Sequence, residues 1–214
     1  MKITIPNSWG GVTLGEYQAV TKQLKEAEKR LKDLEGREKA TFQHNVECAL
    51  ISTLSGVSID DIMGLTVDSH NRLMNELGFL SQPIEGKVKT KARVNGKRYY
   101  FEKHGKKING GQWITLMHFL DDEENIEQNL HNLLACFAYR VKWFKREYSG
   151  DNHEDVANDM LKLPITFVKP LTDFFLLDYL NSVGRTMRYS VFLLKGMKRL
   201  EELKQKRSLL STGG

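Results

Sequence analysis

Only two cysteines occur in 214 residues, Cys48 and Cys136, and both fall in helical apolar patterns. So few exclude a disulfide framework and any paired-cysteine zinc spacing, and predict two buried free thiols. Long apolar runs are missing too. The most apolar stretch, 165–177, is interrupted by Lys169 and Asp173, and a membrane span needs roughly 18 or more uncharged apolar residues. The opening MKITIPNSWGG has no apolar secretory core, so the chain is expected to be made and kept in a cytoplasm. Catalytic signatures are absent as well: there is no Gly-rich phosphate loop with its Lys-Ser/Thr, no His-Glu-x-x-His pair and no Gly-x-Ser-x-Gly elbow. Neither an enzyme nor a cofactor is expected. What remains, 40% apolar and 28% charged residues, is the composition of a globular protein with one sizeable core or two small ones.

A phrase occurs twice. Val12-Thr13-Leu14-Gly15-Glu16-Tyr17 matches Ile114-Thr115-Leu116-Met117-His118-Phe119, with Gly10-Gly11 and Gly110-Gly111 just upstream. Strand-like sequence precedes each: KITI in the first half, and in the second KVKTKARVNGKRYYF, where Asn95-Gly96 between alternating runs signals a two-residue hairpin turn. Further blocks follow in the same order. HNVECALI from His44 answers HNLLACFA from His131, and DIMGL from Asp61 answers DMLKL from Asp159. The expected fold is α+β and predominantly helical, with two diverged copies of a strand or hairpin plus three helices. Copy one spans 1–85, copy two 86–180, and a helical extension and tail occupy 181–214. Thr13 and Thr115 are the expected helix N-caps. The expected shared core is Leu14, Tyr17, Leu50 and Leu65 with Leu116, Phe119, Phe137 and Leu163.

The first half is longer by about 15 residues, or about four helical turns. The surplus falls at about 21–35, where Tyr17, Val20, Leu24, Ala27, Leu31 and Leu34 alternate steps of three and four in a heptad seam. Glu26 with Arg30 and Glu28 with Lys32 are spaced to pair along that helix. A stripe this narrow packs on its own chain or on a partner, and Leu24, Leu31 and Leu34 are the candidate partner-binding residues. A second stripe runs through Leu176, Leu180, Val183, Met187, Val191, Leu194, Met197 and Leu200 and predicts a long C-terminal helix.

The best trio of metal ligands is His44 and Cys48, four apart on one helix face, with His131 from the matching block. Those positions coincide because whole helices were matched, so no metal site is expected. Charge is more informative. Between Lys87 and Lys107 nine Lys or Arg face a single acid, Glu102, with Tyr99, Tyr100 and Phe101 among them. Lys87, Lys89, Lys91 and Arg93 alternate along one strand face, and Lys97 and Arg98 open the next strand. Such a ribbon fits a phosphate backbone, an acidic protein, or an edge hairpin whose lysines block unwanted pairing.

The opening of strand, then W-x-x-V/I-T-L-x-x-Y/F and helix, followed by ISTLSGVSIDDIMGL, VNGKRYYF and LHNLLACFAYR, resembles proteins from the structural gene clusters of tailed phages, some described as tail assembly chaperones or as virion proteins. The likeness covers about residues 1–180; the heptad insertion and the C-terminal helix depart from the pattern. It implies a morphogenesis factor that binds other phage structural proteins, or further copies of itself, in the host cytoplasm or in the virion. The alternative is a basic nucleic-acid-binding module using the hairpin 87–107. No membrane partner is implied.

Overall fold

The computed structural model describes residues 3–101, 109–120, 125–142, 145–147 and 150–177. It is an α+β protein, predominantly helical. Residues Met1–Asp173 form one compact unit and Phe174–Gly214 a second, of which only 174–177 are described. Among the described residues no helix is long and apolar enough to cross a membrane.

Helix α1 (Leu14–Leu31) starts where the sequence predicts. Thr13 Oγ1 accepts the Glu16 N–H at 3.3 Å and Glu16 Oε2 accepts the Thr13 N–H at 2.7 Å, a reciprocal cap for two otherwise unpaired donors. The chain then turns back into α2 (Gly36–Ser55), which packs along α1. Two short capped helices follow. Ser58 opens α3 (Ile59–Met63) and Thr66 opens α4 (Val67–Glu76), each accepting a first-turn backbone N–H. A 3-10 turn at Leu77–Ser81 brings Phe79 edge-on to Trp9, which also meets Tyr17 and donates its indole N–H to Gln82 O at 2.9 Å.

The sheet is an antiparallel meander in the order β1 (Lys91–Val94), β2 (Lys97–Phe101), β3 (Ala138–Lys142), β4 (Lys145–Glu147). Asn95 at φ 49° and Gly96 at φ 75° make the first turn, the conformation that lets a two-residue loop follow strand twist. Between β2 and β3 lie α5 (Gly110–Leu120) and α6 (Leu130–Phe137). Helix α7 (His153–Met160) packs on α6, and α8 runs over 165–177. The starts of α1 and α8 are stitched together: Leu14 N–H donates to Leu163 O at 2.8 Å, Gly15 N–H to Leu161 O at 2.9 Å and Ile165 N–H to Val12 O at 2.9 Å. Gly86 passes so close to α8 that a Cβ there would stand 2.2 Å from Thr166 O, so no larger residue fits without moving backbone.

Leu14, Val20, Cys48, Ile51, Ile62, Leu73, Leu134, Met160, Ile165 and Leu171 form the centre of the core. Each large aliphatic side chain buried there contributes about 1.5–3 kcal/mol. Six of the eight expected core residues are buried; Leu65 and Phe119 are only half-buried, and Ile62 fills the place that Leu65 was expected to hold.

The expected duplication loses its basis. Thr115 opens no helix: it lies inside α5 and its Oγ1 donates back to Gly111 O at 3.0 Å. The reciprocal cap belongs to Asn109, whose Oδ1 accepts Gln112 N–H at 2.9 Å while Gln112 Oε1 accepts Asn109 N–H at 2.7 Å. His44 is in the middle of α2 but His131 is in the first turn of α6, and Asp61 is in the first turn of α3 whereas Asp159 is in the last turn of α7. Residues 3–5 of KITI form no strand, although Ile3 and Ile5 are buried, and Lys2 lies outside the described residues. Short helix-start phrases recur because caps and turn glycines recur, and here they sit in different local structures. The second stripe beyond 177 lies outside the described residues.

Candidate partner surface and basic hairpin

The α1–α2 hairpin divides into two halves. Its base is core: Leu14, Tyr17 and Val20 of α1 and Cys48, Leu50, Ile51 and Leu54 of α2 are all buried where the two helices pack. Across residues 21–47, by contrast, only Ala27 is buried. Half-buried Gln23, next to Leu24, donates through Nε2 to Thr53 Oγ1 of α2 at 2.9 Å. Leu24 is turned outward and is 44% exposed. Leu31 ends α1 and is half-buried, and Leu34, also half-buried, lies in the connection and not on a helix. The expected extended helix is therefore shorter than 21–35.

Contacts at the tip are short-range. Lys32 Nζ is 3.6 Å from Glu28 Oε1, as the spacing predicts, while Arg30 stacks over Phe42 at 4.9 Å instead of pairing with Glu26. Beside that stack a shallow groove of ≈ 420 Å³ is lined by Leu34, Arg37, Glu38, Thr41 and Phe42. A second exposed apolar pair, Trp113 and Ile114 on α5, was missed in the sequence because taking Thr115 as a cap placed both before the helix.

The basic hairpin forms as expected, with Arg93 opposite Arg98 and Lys91 opposite Tyr100. Strand β1 starts only at Lys91, so Lys87 and Lys89 precede it. Both are exposed, as are Lys91, Arg93 and Arg98. Lys91 Nζ sits 5.4 Å from the centre of the Tyr100 ring. Lys97 points to the other face, where its Nζ is 2.7 Å from Asp159 Oδ2. Asp159 also accepts the Asn95 amide at 2.7 Å through Oδ1 and the Tyr99 hydroxyl through Oδ2. Burial alone would raise the Asp159 carboxyl, but hydrogen bonds from Lys97, Tyr99 and Asn95 outweigh it and hold the group below the usual carboxylate range. Burial, with that carboxylate, pushes the Tyr99 phenol up. Lys97 is thus internal glue. Residues 102–108, with Lys103, Lys106 and Lys107, lie outside the described residues.

Both cysteines are free and buried, and burial pushes the Cys136 thiol up to about 12. His131 is not brought to His44 and Cys48. Its Nδ1 lies 3.1 Å from Gln18 Nε2, in a network where Gln18 also donates to Glu127 O and Gln128 O. No family model, no curated protein and no solved structure matches the chain.

Proposed function

We propose that this chain is a non-enzymatic morphogenesis protein of a tailed phage, a tail assembly chaperone or a tail or neck component of the virion. It binds other phage structural proteins through the distal half of the α1–α2 hairpin, in the host cytoplasm while particles assemble. One observation carries the reading: Leu24 is 44% exposed, whereas Leu14, Leu50 and Leu54 of the same two helices are at most 6% exposed. Leu31, Leu34 and Phe42 of the same distal half are half-buried, and charged residues of both signs, Arg37 and Glu38 among them, lie beside Leu34 and Phe42. A surface of that kind suits an apolar helix or loop of a partner, which covers it on binding. The resemblance to phage structural-cluster proteins supplies the biological setting.

Mass spectrometry of purified particles beside infected-cell lysate tests this reading. A fixed copy number in the particle identifies a virion component, and recovery with tail proteins only from lysate identifies a chaperone. Absence from particles together with failure to recover any tail protein would overturn the proposal.

The exposed Lys87, Lys89, Lys91, Arg93 and Arg98 favour nucleic-acid binding as the second reading. Binding of that kind weakens steeply with salt, with a slope near the number of phosphates neutralised. Apolar contact with a protein survives the same salt, and that contrast separates the two.

A further inference from the structure

Helix α2 carries His44 and Cys48 one turn apart, so both side chains lie along one face. Helix α4 packs against α2 and brings His70 to the same place. Cys48 Sγ stands 3.6 Å from His44 Nε2, and the His44 and His70 ring centres are 4.8 Å apart. The sulfur and one nitrogen of each imidazole all lie within 4.8 Å of one another. Glu47 adds a carboxylate, its Oε2 3.7 Å from His70 Nε2 and 4.0 Å from His44 Nδ1.

Cys48 and His44 are within hydrogen-bond range for sulfur, but the contacts with Glu47 are too long for hydrogen bonds, and together the groups make a good ligand set. At 3.7 Å the carboxylate is too far to accept a hydrogen bond from the imidazole. His70 is 8% exposed, and its Nε2 is buried without a hydrogen-bond partner. Native interiors rarely leave such an atom unpaired. A zinc ion held by thiolate at about 2.3 Å and imidazole at about 2.0–2.1 Å would separate those two ligand atoms by about 3.6 Å at a tetrahedral angle. Cys48 and His44 already stand at that separation. One thiolate and one nearby carboxylate together balance the two positive charges, and thiolate with imidazole is a donor set that suits zinc.

We propose that His44, Cys48 and His70 bind one zinc ion, stapling the middle of α2 to α4. Glu47 lies at the edge of this site and balances its charge, and the fourth coordination position is left to water. His44, with its side chain 53% exposed, forms the entrance. Binding transfers the Cys48 thiol proton to solvent, so that the sulfur coordinates as thiolate. The middle of α2 is then fixed by metal, short of the tip at 31–36.

The test is titration of the full, reduced chain with cobalt(II), followed by zinc. The expected result is one cobalt per chain, a sulfur-to-cobalt charge-transfer band and d–d bands of tetrahedral intensity, all removed by zinc. Cys48→Ser should abolish the charge-transfer band. His44→Gln, at an exposed position that spares the fold, should weaken affinity by about tenfold or more, at least the loss that follows removal of a supporting group. His131→Gln should bind as the parent does. Zinc should raise the melting temperature of the parent and of His131→Gln, but not of Cys48→Ser. Absence of the cobalt bands in the parent, or unchanged affinity in both Cys48→Ser and His44→Gln, would overturn the site.

Discussion

The β1–β2 and α1–α2 hairpins have turns that are held in opposite ways. At the β1–β2 turn Asp159 reaches over from α7 and takes hydrogen bonds from Asn95, Lys97 and Tyr99, and Lys162 Nζ donates to Asn95 Oδ1 at 3.2 Å. At the α1–α2 turn the contacts of Glu28 with Lys32 and of Arg30 with Phe42 stay inside the hairpin. The first turn belongs to the fold, and the basic charge placed there is partly used up in holding it. Among the described residues the contacts at the second stay within its two helices, and its apolar side chains are exposed or half-buried.

That contrast can be broken by mutation, starting with the largest effect. Ile51→Ala at the fully buried base of the helical hairpin should cost about 2–5 kcal/mol. Leu24→Ala near its tip should cost under about 1 kcal/mol. Urea denaturation measures both, and similar losses at the two sites would erase the distinction between base and tip.

Next comes the pinned turn. Asp159→Ala strands the Lys97 amine, the Tyr99 hydroxyl and the Asn95 amide, and should cost about 2–4 kcal/mol. Because the folded-state carboxyl titrates below its ordinary range, its contribution is complete above the unfolded value of about 3.9. That contribution is lost as pH falls through the lower folded value. Asp159→Asn should therefore flatten stability against pH below about pH 4 relative to the parent, as acid titration of urea midpoints would show. Smaller still, Gly96→Ala forces a side chain into φ 75° and should cost about 1 kcal/mol, with loss of hydrogen-exchange protection confined to β1 and β2.

Local chemistry made some of this legible in the sequence. Asn95-Gly96 marked its turn because few residue pairs accept positive φ at both positions, and Thr13 marked the start of α1 as an N-cap, to which the structure adds Glu16. The same signature stood at Asn109 and Gln112, one cap upstream of the one chosen, and the repeated Thr-Leu phrase concealed it. Non-local pairing was not legible: nothing near Val12 announces that its carbonyl accepts from Ile165, or that Asp159 answers Asn95. The metal trio shows the same limit. His44 and Cys48 could be paired by helical spacing, but the third ligand is set by the packing of α4 on α2, which brings His70 and not His131.

The central claim is that the distal α1–α2 surface serves a partner and not the fold. Leu24→Lys/Leu31→Lys tests it most directly, through the melting temperature of the variant read beside its association by light scattering and co-purification. The account predicts a melting temperature within a few degrees of the parent, on the order of 1 kcal/mol or less, with association lost. A drop equivalent to several kcal/mol, as two newly buried unpaired charges would cause, with association unchanged would contradict it.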